Sequence, residues 1–561
     1  MKFATRPPVA LKPLFAALIC SPLISLAAGI PDAGSILQQV QPPAPPTPSS
    51  TRPELKIESL DGVKLPPSAP FEVKVIRIEG NSLFDTAPLH ALVADAEGKR
   101  LTLPQLDELA ARITDYYHRH GYPLARAIIP AQTISDGVLA IRVIEARYGK
   151  IELDNRSRVN ASLLEAALAP LHSGQPIAEQ EMNRALLLLS DIPGVEVSAT
   201  LKPGETVGTS DMRVETTPGP NVIGNLRLDN YSNRYLGRVR LSGWVSLINP
   251  LHHGDVLSAN LLSSGSGLEY GRVSYETLLN GHGTRIGGAY SALHYVLGDT
   301  LAALDAHGTA RVGSLWAKHT LMRGREISLY GQIQYDGKQL RDRIDTTATR
   351  TDRHLDNWVL GFSGDLRGPL LFGGINTWSL SWASGHLGFD DAIAQAVDAA
   401  TARTQGRFSK WNASFSRLQT LTPNDALYIT AAAQWADSNL DSAEKMTVGG
   451  PYSVRAYDMG AASGDTGYLG TVELRHHLGA FAGGQWQALA FVDSAHVTVN
   501  ETPWVAGTNN ATLTGAGLGL NWTLSSGWNV KACIASRLGS TPELVSSTAS
   551  TRGWLEIGKG L

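Results

Sequence analysis

From residue 219 to the C-terminus, apolar and polar side chains alternate and the helical period is gone. In Leu226-Arg227-Leu228-Asp229 one face is apolar and the other charged. Val239, Leu241 and Gly243 alternate with Arg238, Arg240 and Ser242; Val472 and Leu474 alternate with Thr471, Glu473 and Arg475; Ala516, Leu518, Leu520 and Trp522 alternate with Gly515, Gly517, Gly519 and Asn521. A period of two sends successive side chains to opposite faces of a strand. In water the apolar face has to pack on a second sheet, as in a large soluble all-β domain. In a bacterial outer membrane it faces lipid while the polar face lines a lumen. Residues 219–561, at ~21 residues per strand with its connection and ~10 residues per membrane crossing, yield about 16 antiparallel strands. Turns such as Asn280-Gly281-His282-Gly283 suit the short connections, and all twelve tryptophans fall between Trp244 and Trp554, as expected for aromatic girdles at the membrane interfaces.

Composition narrows the rest. A formal charge of −3 excludes a polybasic nucleic-acid binder as the default. A mean hydropathy of −0.08, with no long apolar run after the first thirty residues, excludes a bundle of membrane helices. Residues 1–29 read as a secretory signal peptide: Lys2, Arg6 and Lys12 precede the apolar stretch Leu14–Leu26, which ends in small residues. Its removal takes Cys20 and leaves only Cys533, so no disulfide framework is expected. Residues 30–41 hold a short helix with Ile36, Leu37 and Val40 on one face. Residues 42–70, rich in proline, read as an extended, unpacked linker.

Between linker and barrel, two units of one pattern follow each other: strand, helix, helix, strand, strand. In the first (71–147), the strand starting at Phe71 ends at Glu79-Gly80-Asn81. A helix from Leu103 to His120 then places Leu106, Leu109 and Ile113 at helical spacing, and strands follow at Ala125–Ile129 and Val138–Ile144. In the second (148–218), a strand at Lys150–Leu153, helices near Ser162–Ala169 and Ala178–Ser190, and strands near Val195–Leu201 and Asp211–Thr216 repeat the order. The fold class is therefore two α+β domains followed by an all-β transmembrane barrel.

Ile113-Thr114-Asp115-Tyr116-Tyr117, Gly121-Tyr122-Pro123, Ile129-Pro130-Ala131-Gln132 and Val143-Ile144-Glu145 resemble the signature of a first POTRA domain. In the barrel, Val448-Gly449-Gly450-Pro451-Tyr452-Ser453-Val454-Arg455-Ala456-Tyr457 resembles the loop signature of the outer-membrane transporters of two-partner secretion (TpsB type). These export filamentous haemagglutinin, haemolysins and contact-dependent inhibition toxins. Phe491-Val492-Asp493 resembles the matching strand motif of that family. Ala456 stands where the family has glycine, and the chain ends Lys559-Gly560-Leu561 where the family barrel usually ends on an aromatic residue.

The resemblance implies that the loop near 447–467 folds into the lumen and that Arg455, flanked by Gly449, Gly450, Val454, Ala456 and Tyr457, pairs with Asp493 beside Phe491. It implies that the helix at 30–41 plugs the pore, and that Tyr116, Tyr117, Gly121, Tyr122 and Gln132 are candidates for contacting substrate. It implies as partners a secreted, unfolded exoprotein with an N-terminal secretion domain, outer-membrane lipid, and the barrel-assembly machinery during biogenesis. Nucleic acid is not among them, and the chain would act as a monomer. An assembly factor that inserts barrels, or a passive porin, are the competing readings.

Catalytic arrangements are not apparent. Gly515-Ala516-Gly517-Leu518-Gly519 has no following helix, Ser264-Gly265-Ser266-Gly267 is no nucleophile elbow, and the adjacent pairs His252-His253 and His476-His477 point to opposite faces of a strand. No metal, cofactor or enzymatic activity is expected.

Overall fold

The computed structural model describes residues 30–40, 53–58, 68–134, 136–368, 374–545 and 549–561; the expected signal peptide lies outside the described residues. The chain begins with helix α1 (Ala33–Val40), whose Ala33, Ile36, Leu37 and Val40 are buried along one face. Strand β1 (Glu54–Ile57) follows inside the proline-rich stretch. The expectation of an unpacked tether therefore fails at these residues, because Glu-Leu-Lys-Ile alternates between flanking prolines and finds a sheet edge.

The first module contains β2 (Phe71–Val73), β3 (Val75–Glu79), α2 (Thr86–Ala91), β4 (Lys99–Leu101), α3 (Leu103–Arg119), β5 (Arg126–Ile128) and β6 (Val138–Ile144). Its main sheet has the order β3-β6-β5, with β3 and β6 parallel. Helix α3 starts where Gln105 Oε1 accepts the Thr102 backbone N–H at 2.9 Å, half of a capping box. It buries Leu106, Leu109, Ala110, Ile113 and Tyr117, the i, i+3, i+4, i+7 stripe of an amphipathic helix. Gly121, at φ +86°, turns the chain after it.

The second module contains β7 (Arg147–Asn155), α4 (Ala161–Leu168), α5 (Glu179–Ser190), β8 (Val195–Pro203) and β9 (Thr209–Pro218). Its sheet runs β1-β8-β9-β7, so the linker strand completes one edge. The modules are joined by the Glu179 N–H donating to Gly121 O at 2.8 Å and by Leu124, which packs on the second core.

The second module is seated on the barrel rim. Arg323 forks onto Asp191 at 2.6 and 2.9 Å, and the Asn160 N–H donates to His252 O at 2.9 Å. Gly281 lies so close to α4 that a Cβ there would sit 2.3 Å from the Ala166 carbonyl carbon.

Sixteen strands, from Val222–Asp229 to Thr551–Gly560, form a closed antiparallel barrel. Among the described residues no helix is long and apolar enough to cross a membrane; the chain crosses with strands. The alternation is realised as the sequence requires: Leu226, Leu228, Leu241, Val472 and Leu474 are exposed on the outer wall, while Asp229, Arg240 and Glu473 are buried inside. Two expectations need correction. Strands reach 19 residues in Thr349–Arg367, well beyond the ~10 residues that a crossing needs, and near the start of that strand Asp352 receives the Arg343 fork at 2.7 and 2.8 Å. Nor do all the tryptophans face lipid: Trp554 shares the inward parity of Glu556 and is buried. A helix unforeseen from sequence, α6 (Ala392–Ala400), caps one surface loop, with the Asp391 carboxylate accepting the Ile393 and Ala394 N–H groups.

Candidate functional site

The lumen is filled by two elements, the 437–465 loop and α1. The loop enters through a short hairpin, Met446–Val448 paired with Ala462–Gly464. Gly449 and Gly450 adopt φ +98° and +102°, and a Cβ on Gly449 would lie 2.5 Å from Asp458 O, so the loop can fold this tightly only with glycine. Val454 and Tyr457 are buried against the wall with Phe491, Ala495 and Leu513, and the Tyr457 N–H donates to Val454 O at 3.1 Å. This turn aims Arg455 at the wall.

Arg455 donates from Nε and Nη2 to the two Asp493 oxygens, each at 2.8 Å, and from Nη1 to Glu473 at 2.6 Å. Its guanidinium lies 3.2 Å from the Phe491 ring centroid, and its carbonyl accepts Trp554 Nε1–H at 2.7 Å. Thr471 donates to Asp493, which is 0% exposed. A two-pronged guanidinium–carboxylate pair fixes orientation as well as distance, and breaking a buried one costs about 3–5 kcal/mol because a charge is left uncompensated. Ala456 is buried, and its methyl group is accommodated because the facing wall residue is Gly515: a Cβ there would lie 2.5 Å from that of Ala456.

Several residues that close the lumen had no sequence motif. Helix α1 packs on Leu262, Leu293, Tyr295, Leu340 and Leu355. Asp32 caps it by accepting the Ser35 N–H at 2.9 Å, pairs with Arg353 at 2.9 Å and accepts Ser442 Oγ–H at 2.7 Å. Arg353 also reaches Asp342 and Asp441, each at 2.8 Å, so three acidic side chains from plug, wall and loop converge on one guanidinium. A Cβ on Gly34 would lie 2.3 Å from Ser442 Oγ, and Gln38 donates to Ala443 O. The next loop residue, Glu444, is held by Lys410 at 2.8 Å, by Lys338 and by Asn357. The plug thus sits on the root of the same loop whose tip carries Arg455. Only the acidic and basic parity of the wall strands pointed to these groups; their partners are distant in sequence.

In the first module, Tyr117 is fully buried and its hydroxyl donates to Glu145 at 2.9 Å. Tyr116 and Tyr122 ring Phe84 edge-on at 5.2 and 5.8 Å. The exposed Gln132 exchanges two 2.8 Å hydrogen bonds with the Ala140 backbone. Gly121 serves the inter-module joint. The ring and hydroxyl of Tyr117 are engaged inside the fold, while Tyr116, Tyr122 and Gln132 lie nearer the surface. Burial would raise the Glu145 pKa, but hydrogen bonds from Ser82, the Leu83 N–H and Tyr117 hold it below the usual value.

The described residues hold no group of three or more His, Cys, Asp or Glu side chains arranged for a metal. His476 instead pairs with Asp425 at 2.7 Å.

A closed sixteen-stranded barrel with an occupied lumen, preceded by POTRA-type modules, defines an outer-membrane transporter with its modules in the periplasm. Residues 208–522 match the haemolysin secretion/activation protein ShlB/FhaC/HecB family, and residues 71–146 match the ShlB-type POTRA domain. The chain belongs to this family, the transporters of two-partner secretion, whose members work with a secreted exoprotein; it is a transporter and not an enzyme. It is 28% identical over 387 residues to the heme/hemopexin transporter protein HuxB of Haemophilus influenzae, covering 69% of this chain and 68% of that protein. It is 24% identical over 448 residues to the outer membrane transporter CdiB of Escherichia coli, covering 77% of this chain and 73% of that protein. The solved structure of CdiB from Escherichia coli superposes with a TM-score of 0.70 at 21% identity, covering 90% of this chain and 92% of the other. CdiB from Acinetobacter baumannii gives 0.61 at 17% identity over 94% of this chain and 96% of the other.

Proposed function

We propose that this transporter receives its exoprotein unfolded, through the periplasmic modules, and passes it through the barrel to the cell surface without ATP. In this reading residues 1–29 are the signal peptide, 30–41 the plug, 42–70 the linker, 71–147 and 148–218 the two POTRA domains, and 219–561 the barrel. Arg455 and Asp493, with the loop near 447–467, form the inner lock. The modules offer sheet edges, which capture extended segments by main-chain hydrogen bonds. The plug leaves, the loop reorganises, and folding of the cargo outside supplies direction.

One observation carries this reading: both elements in the lumen are held by side-chain pairs that separate without covalent chemistry, Asp32–Arg353 for the plug and Arg455–Asp493 for the loop. The test is co-expression with a candidate exoprotein that carries an N-terminal secretion domain. Secretion into the medium only when this chain is present supports the reading. Equal secretion without the chain, or with an Arg455→Ala barrel at normal abundance, contradicts the transport role or the loop's part in it, respectively. Function as a monomer, insertion by the assembly machinery and contact with lipid belong to the same proposal.

A further inference from the structure

The outer wall of the barrel carries a groove. Leu226, Gly243, Leu261, Gly271, Ala292 and Arg311 stand opposite one another across six successive strands, and residues paired in this way share one face of the sheet. That face is the outer one, since Leu226 and Leu261 are 52% and 66% exposed. At the usual strand spacing the row is about 24 Å long. Gly243, Gly271 and Ala292 form its floor, Leu226, Leu241 and Leu261 rise beside them, and the space enclosed is about 910 Å³. Leu561 borders the groove beside Gly224, whose carbonyl accepts the Leu561 N–H at 3.0 Å.

At the Arg311 end the lining turns polar, with Glu269, His294 and Thr309. Glu269 stands directly opposite His294. Arg311 and, on the next strand, Arg341 are exposed and form no ion pair or side-chain hydrogen bond among the described residues. Asp352 lies opposite Arg341 but gives both its oxygens to Arg343. Thr309 is the other neighbour of Arg341, and Arg311 lies diagonal to it, a separation of ~7–8 Å. Two free guanidinium groups and a hydroxyl thus share one patch. The patch faces away from the periplasmic modules: Leu226 is four residues from the module-side end of its strand, whereas Arg311 is twelve from the module-side end of its own. Tyr335 opposes Trp358, and Trp382, Trp411 and Trp435 continue the exposed aromatic band that marks a membrane interface. Arg341 lies six residues beyond Tyr335, on the side away from the modules.

We propose that this groove binds the phosphorylated glycolipid of the outer leaflet. An acyl chain lies over Gly243, Gly271 and Ala292, and a phosphate is held between Arg311 and Arg341 with the Thr309 hydroxyl. Guanidinium forks match phosphate oxygens, and the apolar length beside them suits an acylated phosphate rather than a soluble anion. A zwitterionic phospholipid would bring its own ammonium group to the two arginines. The same strands carry Leu262, Tyr270 and Leu293 on their inner faces, within the cluster that seats the plug, so a single sheet separates the lipid from the plug helix.

The probe is bis-phosphorylated lipid A, titrated into the purified full-length chain in detergent and followed by native mass spectrometry. The unaltered chain should retain one tightly held copy. Arg311→Gln/Arg341→Gln should weaken binding at least tenfold. Ala292→Trp, which fills the groove and leaves both charges, should do the same. Arg407→Gln, at an exposed arginine of the barrel wall outside the groove, should change nothing, and thermal melts establish that each variant is a folded barrel. Equal binding by the unaltered chain and the double arginine variant overturns the site. On the unaltered chain alone, equal affinity for lipid A stripped of its phosphates removes the arginine patch from the account, and equal affinity for phosphatidylglycerol removes the glycolipid; either result overturns the proposal. A dimer that Ala292→Trp dissociates would put a second copy of the chain in the groove and overturn it as well.

Discussion

Arg455 and Arg353 each gather carboxylates in the lumen, and they hold it closed in different ways. Arg455 sits at the tip of the loop and answers to one neighbourhood of the wall: Asp493, Glu473, the Phe491 ring and Trp554. Arg353 sits on the wall and gathers acidic groups from three parts of the chain, Asp32 in front of the plug helix, Asp342 on the next strand and Asp441 at the loop root. The first is a lock between one loop and one patch of wall. The second is a junction, at which a change in any one element is felt by the other two.

The largest test of this contrast is Arg455→Ala. It strands Asp493, which is 0% exposed, at a cost of about 3–5 kcal/mol. Secretion should collapse and the melting temperature of the purified barrel should fall, while the plug contacts at Arg353 persist. Asp32→Asn should do the opposite. Losing one charge-assisted partner is worth about 1.5–3 kcal/mol, so openings in planar lipid bilayers should become roughly 10- to 100-fold more frequent with the loop tip still locked. An unchanged opening frequency would remove the junction from the account.

Gly515→Ala probes the tip without touching a charge. Its Cβ would lie 2.5 Å from that of Ala456, and overpacking of this kind costs about 1–3 kcal/mol. Ala456→Gly in the same chain should recover most of it, and thermal melts of the two single variants and the double measure the recovery. Glu145→Gln is the smallest and serves as a control outside the lumen. The lowered pKa of Glu145 contributes stability that is complete above the unfolded value near 4.5 and is lost as pH falls through the lower folded value. The substitution should cost about 1 kcal/mol at neutral pH and flatten the acid dependence of proteolysis in the first module of the full chain, leaving conductance unchanged.

The two arginine sites also differ in how far the sequence disclosed them. The strand alternation is local, and so the barrel, its strand number and the facing of Leu226 or Val472 could be read directly. Arg455 and Asp493 came from the resemblance of two short motifs. Arg353 and Asp32 lie 321 residues apart, no spacing rule relates them, and each looks like an ordinary solvated charge until the barrel closes around the plug. Trp554 was misread as an interface residue although its parity with Glu556 places it inside, and β1 was hidden by the prolines around it. In both, a composition argument overrode a period-two signal that was present. Gln132, a candidate for substrate contact on the resemblance alone, is exposed and exchanges two hydrogen bonds with the Ala140 backbone.

The closeness of Ala456 and Gly515 also bears on how such a chain could have arisen. A methyl group at one position is compatible only with hydrogen at the other, so the two sites do not vary freely. A lineage with glycine at both could acquire alanine at 456 in a single step. From that point a side chain at 515 would carry an overpacking cost of about 1–3 kcal/mol until 456 reverted. The pair works as a ratchet: the order of substitutions is constrained, and a harmless-looking exchange on a lipid-embedded strand is closed off by a residue in a loop some sixty positions earlier.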